Sequence, residues 1–349
     1  MAELPAGSPI ETPGVSSASL SDPWRPWIGR AIAVMIAAML FYLALTIWSG
    51  LDRLVIALSR FSIASHLPPI IGLVLLGWFL RALRWHYYVR YLRWPVPIRA
   101  SLLAFLASFA LTATPGKAGE LVKAGLLRAR FGVAIAEAAG VLLVERLGDL
   151  LAVLVLAMGG LSLLTSAWLT FLICLIAVGG ITVFVTSERI HRSLFIRLGN
   201  IPRLNNVAGK FLRLFETGRS LLQPRPFIVS LSIGMVAWAC EALALYVIFQ
   251  GFRLQLPLLT TVSIYGVSTL IGALSALPGG VGGVETTMLL LLTVSGVESG
   301  AAVPPVVLFR FSTLWLVSLL GFVFMGVWWL AVEHNWVGLR ELLGRERNR

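Results

Sequence analysis

Two apolar stretches of this chain are interrupted in the middle by the same punctuation, and few folds accommodate that. Residues 112–124 read Thr-Ala-Thr-Pro-Gly-Lys-Ala-Gly-Glu-Leu-Val-Lys-Ala, and residues 275–288 read Ser-Ala-Leu-Pro-Gly-Gly-Val-Gly-Gly-Val-Glu-Thr-Thr-Met. In each, an apolar run meets Pro-Gly, then more glycine, and a glutamate opens a second apolar run. Each is followed by an arginine inside the next apolar segment: Arg146 lies 31 positions after Pro115, and Arg310 lies 32 after Pro278. Proline removes a helical N–H and glycine admits a tight turn, so both stretches predict a helix broken into a hairpin. A broken helix used twice is a signature of membrane transporters built from internal repeats.

Composition agrees with a membrane setting. The 349 residues are 58% hydrophobic and 13% charged, with a mean hydropathy of +0.88, whereas soluble domains carry about 25% charged residues. The net charge of +12 does not indicate nucleic acid, because cytoplasmic loops of membrane proteins collect Lys and Arg. Cys174 and Cys240 fall in apolar runs and the four histidines are isolated, so neither a disulfide framework, a metal site nor a cofactor is expected.

In chain order, residues 1–29 predict a disordered tail and 31–49 a first span. Residues 51–60 form an amphipathic interfacial helix. A second span follows Pro68-Pro69 to about residue 87. Its far end mixes Arg81, Arg84, Arg90, Arg93 and Arg99 with Trp85, Tyr87, Tyr88, Tyr91 and Trp94, which marks the cytoplasmic interface. Residues 100–113 are too short to cross a core that needs about 20 helical residues. The return over 118–127 ends at Arg128 and Arg130, so this hairpin is re-entrant from the cytoplasmic side.

Spans over 134–160 and 168–186 lead to a basic connection, 187–225, with an amphipathic helix at 206–222. After a span at 227–250, residues 258–276 and 284–295 make a second hairpin entering from the opposite face. A last span, 305–331, ends before a basic tail, 333–349. On this topology 23 of the 28 Lys and Arg lie in the cytoplasm, three lie outside, and Arg146 and Arg310 lie within the membrane. The expected fold is all-α: six full spans plus two re-entrant helical hairpins, in inverted repeats over about 68–160 and 227–331. They sit inside a transmembrane unit, 30–332, of the inner membrane, with both termini cytoplasmic.

In such hairpins the second half-helix begins with free N–H groups at mid-depth, an end that attracts phosphate or carboxylate. The candidate substrate-binding residues are Thr114, Pro115, Gly116, Lys117, Gly119 and Glu120 in the first break and Pro278, Gly279, Gly280, Gly282, Gly283 and Glu285 in the second. Arg146 and Arg310 join them, since a guanidinium grips phosphate through two parallel hydrogen bonds. An uncompensated arginine at mid-membrane costs at least ~2.5–3.5 kcal/mol, so Glu120, Glu145, Asp149 and Glu285 are expected as charge partners. The bland alternative makes both arginines structural pins between repeats. Glu145 and Asp149 lack a nucleophile or metal spacing beside them, so catalysis is not expected. Glu137 and Glu241 are expected to be buried helix–helix hydrogen-bond partners, and the tryptophans an interfacial belt.

Several motifs together resemble the flippase-like membrane domain of lysylphosphatidylglycerol synthetase/flippase proteins: Arg81-Ala-Leu-Arg-Trp85, Thr114-Pro-Gly-Lys-Ala-Gly-Glu120, Glu145-Arg-Leu-Gly-Asp149, Leu277-Pro-Gly-Gly-Val-Gly-Gly-Val-Glu285, and Arg310 with Trp315. The resemblance covers about residues 30–332. It includes stand-alone members associated with hopanoid biosynthesis and with archaeal protein glycosylation. It implies an inner-membrane protein that moves or handles membrane lipids with polar or anionic headgroups. No soluble aminoacyl-transferring domain follows residue 332, so lipid aminoacylation is not implied. Two alternatives stand beside a lipid flippase: a non-transporting partner of a lipid-synthesis or glycosylation enzyme, and an intramembrane enzyme on lipid-linked substrates. The lipid, the direction, the coupling ion and the oligomeric state stay open.

Overall fold

The computed structural model describes residues 61–112, 114, 119–158, 167–189, 205–275 and 277–333, with Ala33, Ile36, Leu40 and Ser59. Most of the expected first span, both tails, the segment 51–58, and Pro115, Gly116 and Lys117 lie outside them. All regular structure among the described residues is helical. The helices are α1 (Ile63–Tyr91), α2 (Ile98–Ser108, extended by a 3-10 turn Phe109–Leu111), α3 (Leu121–Phe131), α4 (Ile135–Ala157), α5 (Ala167–Thr186) and α6 (Asn205–Leu221). They continue as α7 (Pro224–Gly251), α8 (Leu258–Leu274), α9 (Gly283–Val294), α10 (Ser299–Arg310) and α11 (Leu316–Glu333), the last two joined by a π turn at Phe311–Trp315.

Among the described residues, three helical stretches are long and apolar enough to cross a membrane: Ile63–Tyr91, Pro224–Gly251 and Ser299–Ala331. The chain is a membrane protein. Two starts differ from expectation. Helix α1 begins before Pro68-Pro69 and α10 before Pro304-Pro305, so each proline pair lies inside a helix rather than at its start. As the sixth and seventh residues of their helices, the prolines lack N–H groups that would otherwise bond the carbonyls four residues back, so the opening turns are held by fewer bonds.

The two halves keep one register. Pro97 and Ile98 open α2 as Pro257 and Leu258 open α8, a shift of 160 positions that also relates Tyr91 to Gly251 at the ends of α1 and α7. Helices α1 and α7 make the most extensive pair in the molecule. They run antiparallel: Phe61 lies against Gly251, Gly77 against Ala237, and the Tyr88 hydroxyl bonds Ser230. Helix α8 then packs on α4, and α2 on α11. Both crossings are tight. A Cβ on Gly266 would come within 2.5 Å of the Ala157 nitrogen, and one on Gly321 within 2.1 Å of the Ala110 nitrogen. Ala157 and Gly321 each stand eleven residues after the arginine of their own repeat.

Helix α6 is the amphipathic helix expected at 206–222. It docks on α4 and α5, where Gly140 admits the Leu214 carbonyl. The expected aromatic belt is corrected for five tryptophans: Trp78, Trp85, Trp238, Trp315 and Trp328 are buried in the protein, as is Tyr88, whereas Trp329 is exposed. These rings belong to the buried side-chain clusters of the protein, Trp78 and Trp238 in one, Trp85, Tyr88 and Trp328 in a second, and Trp315 in a third.

Candidate functional site

Both breaks open onto one cavity of about 440 Å³ near the α1–α7 crossing. At the first, the Thr114 hydroxyl donates to the Leu111 carbonyl (2.8 Å) and accepts the Gly119 N–H (2.7 Å). Glycine is required at 119 because a Cβ there would meet the Leu111 oxygen at 2.2 Å. At the second, Gly279, Gly280 and Gly282 have φ of 61°, 67° and 89°, a region that side chains disfavour. Glu285 accepts the Gly282 N–H through Oε2 (2.8 Å) and the Arg310 Nε–H through Oε1 (2.7 Å). Arg310 also donates to the Gly279 carbonyl (2.7 Å), fastening the turn. Thus the amide donors of Gly119 and Gly282 are already engaged by the protein's own oxygens.

Arg146 pairs with Glu120, and its Nη1 stands 3.6 Å from Asp149. Of the four expected charge partners, Glu120 and Asp149 meet Arg146 and Glu285 meets Arg310, whereas Glu145 meets Lys123 and Arg84 instead. Thr114, Glu120, Glu145, Arg146, Asp149, Gly279, Gly280 and Arg310 line the cavity, whereas Gly119, Pro278, Gly282, Gly283 and Glu285 are not among its lining residues. Pro115, Gly116 and Lys117 fall outside the described residues.

The structure adds three cations that sequence reasoning assigned elsewhere. Arg81 and Arg84 are not snorkelling residues at the membrane surface; both face the cavity. Arg84, 2% exposed, donates to Asp149 (2.8 Å) and lies 3.9 Å from Glu145. Arg81 pairs with Glu241, stacks 4.4 Å over the Trp238 ring, and shares Glu241 with the Tyr265 hydroxyl (2.8 Å). Lys123 is fully buried, bonded to Glu145 (2.8 Å) and set 4.1 Å from the Trp85 ring centre. Glu241 is the buried hydrogen-bond partner expected of it, whereas Glu137 is only half-buried.

The missed signal was one of faces. Arg81 and Arg84 are three apart on a helix, and Glu145 and Asp149 four apart, so each pair shares one face and the faces are opposite in charge. Arg81 and Glu241 also stand 160 positions apart, at equivalent places in the two repeats.

The outcome corrects the expected electropositive centre. Five cations (Arg81, Arg84, Lys123, Arg146, Arg310) meet five carboxylates (Glu120, Glu145, Asp149, Glu241, Glu285), so the cluster is formally neutral. Burial dictates this, because an unpaired ion in a medium of low polarity costs several kcal/mol. Within the network Arg146 is the open member: its side chain is 34% exposed, against 11% or less for Arg81, Arg84, Lys123 and Arg310.

A family model described as "Lysylphosphatidylglycerol synthase TM region" matches residues 30–321. The chain belongs to this family. Among its relatives is a "UPF0104 membrane protein" of Methanothermobacter thermautotrophicus, 26% identical over 82% of this chain and 90% of the relative. Another of that description, from Pyrococcus horikoshii, is 22% identical over 82% of this chain and 94% of the relative. One from Methanocaldococcus jannaschii is 25% identical over 63% of this chain and 93% of the relative. The lysylphosphatidylglycerol synthase TM match ends within α11, so it takes in both breaks and the whole charged network.

Proposed function

We propose that this protein is a lipid flippase or lipid transporter that passes a polar or phosphate-bearing headgroup through the cavity between the two breaks while the acyl tails stay in the bilayer. The observation that carries this is the convergence of both broken hairpins, Arg146 and Arg310 on one cavity. Its polar lining is charged, while Phe105, Leu150, Val153 and Leu270 supply apolar wall for the parts of a lipid nearest the headgroup.

Six full spans and two re-entrant hairpins in the inner membrane, with both termini cytoplasmic, are the topology we assign. Arg146 receives the headgroup, because it alone of the five cations is substantially open and its acids keep other partners when it turns away: Glu120 has Lys123 at 3.9 Å, and Asp149 has Arg84. Arg310 holds the second turn, and the two breaks give way to admit the headgroup. Movement is down-gradient or coupled to an ion, and no lipid chemistry is required of the protein.

The test is leaflet exchange in reconstituted vesicles with a panel of labelled lipids, beside an Arg146→Ala control. Exchange of at least one phosphate-bearing lipid, lost in the control, is expected. Equal rates for both proteins with every lipid would overturn transport and favour a non-transporting partner of a lipid-synthesis enzyme.

A further inference from the structure

Four helices end in a residue held in the left-handed backbone region. After α3 and α9 that residue is glycine, Gly132 (φ 70°) and Gly296 (φ 89°), which adopts it without strain. After α1 and α7 it is arginine: Arg93 (φ 56°) and Arg253 (φ 60°), the two non-glycine residues with positive φ among those described.

The two arginine caps are copies. Arg93 N–H bonds the Arg90 carbonyl (3.1 Å) and Trp94 N–H that of Val89 (3.1 Å); Arg253 N–H bonds Gln250 (2.9 Å) and Leu254 N–H bonds Phe249 (2.9 Å). They are 160 positions apart, and each stands five residues before the first arm of its hairpin. A side chain in this conformation is strained relative to glycine. Strain kept where glycine would remove it, and kept twice, points to work done by the side chain.

Both arginines are exposed, and α1 and α7 are antiparallel, so they stand at opposite ends of the helix pair. A helix of 29 residues is roughly 43 Å long at about 1.5 Å per residue, and about 40–45 Å is the thickness of a bilayer with its headgroups. Each guanidinium thus falls in a headgroup layer, where phosphate is the group its two parallel donors match.

We infer that Arg93 and Arg253 are paired phosphate anchors, one in each leaflet, that hold the phosphate of a phospholipid at the foot of the neighbouring hairpin. This rests on the membrane-crossing assignment above and supplies the loading site for the same cavity.

The glycine variants make a discriminating test, because they relax the backbone while removing the charge. The full chain is purified in a phosphate-free detergent and its melting midpoint followed with added phosphatidic acid, a phosphate-free glucosyl diacylglycerol of the same chains, or inorganic phosphate. Phosphatidic acid is expected to raise the wild-type midpoint and the glycolipid to leave it. Arg93→Gly and Arg253→Gly, with lipid-free midpoints unchanged or higher, each lose about half the shift, the double variant loses it, and Arg253→Lys, a cation without the paired donors, keeps only part of it.

A full shift in the double glycine variant, or an equal one with the glycolipid, overturns the anchors. A shift reproduced by inorganic phosphate alone overturns lipid as the ligand. Absence of wild-type leaflet exchange alongside an intact, arginine-dependent shift would remove the transport reading and leave the anchors standing.

Discussion

Exchanging Arg81 and Glu241 probes the repeat register and the charged network together. The two pair across the α1–α7 interface from equivalent positions, each side chain 11% exposed. Arg81→Glu alone sets two carboxylates together; at 4 Å and an effective dielectric of about 20 their repulsion is about 4 kcal/mol, part of which protonation relieves. Removing one partner of a buried pair costs about 3–5 kcal/mol, and that is the loss expected of Arg81→Glu and of Glu241→Arg. The exchanged pair restores the attraction. It forfeits the Tyr265 bond to Glu241, about 1.5–3 kcal/mol for a charged acceptor, and the Arg81 contact with Trp238, about 0.5–2 kcal/mol. The double variant therefore falls about 2–5 kcal/mol below wild type, and the cycle gives a coupling energy of about 4–5 kcal/mol. Unfolding in mixed detergent micelles measures all four proteins. Single effects that add to the double within about 0.5 kcal/mol would refute the pairing and the equivalence of the two positions.

Five other perturbations separate the roles in and around the cavity. Arg84→Met, which strips a buried carboxylate of its closest cation, should cost about 3–5 kcal/mol. Arg146→Ala, at a partly open site where both acids keep a partner, should cost about 1 kcal/mol or less yet abolish lipid exchange; the same unfolding assay and vesicle exchange compare them. Lys123→Met should lower stability by about 3–5 kcal/mol, and adding Glu145→Gln should recover most of it, read from thermal midpoints. Gly119→Ala forces a Cβ to 2.2 Å from the Leu111 carbonyl and should slow exchange at least tenfold. Gly148→Ala, with no atom in the way, should leave the rate unchanged and gain about 1 kcal/mol of helix propensity.

What the sequence could reveal was what local chemistry decides. Pro-Gly inside an apolar run breaks a helix wherever it sits, so both breaks were legible, and the acids that meet Arg146 and Arg310 lie on the adjacent elements they had to touch. Arg81 and Arg84 were misplaced because a cation near the end of an apolar helix reads as snorkelling. Only the antiparallel α1–α7 pairing, a contact across 160 positions, brings Glu241 to Arg81. Lys123 was hidden for a similar reason: its aromatic cover, Trp85 and Phe105, comes from two other helices. The strained arginines at 93 and 253 carry no compositional mark, since a left-handed cap filled by arginine looks like any loop residue. Aligning the two halves at the 160-residue shift would have exposed both the charge-opposed pair and the duplicated caps.

The central claim is that a lipid headgroup enters the space between the two breaks. Photoreactive side chains placed at Thr313 and Thr112 on the cavity wall, and at the outward-facing Val323 and Leu169, test it in vesicles of labelled phospholipid. Crosslinks through the headgroup at both cavity positions, weakened by Arg146→Ala, with tail crosslinks alone at the two outer positions, are the predicted result. Headgroup crosslinks absent from both cavity positions, in vesicles where the outer positions label normally, would contradict it.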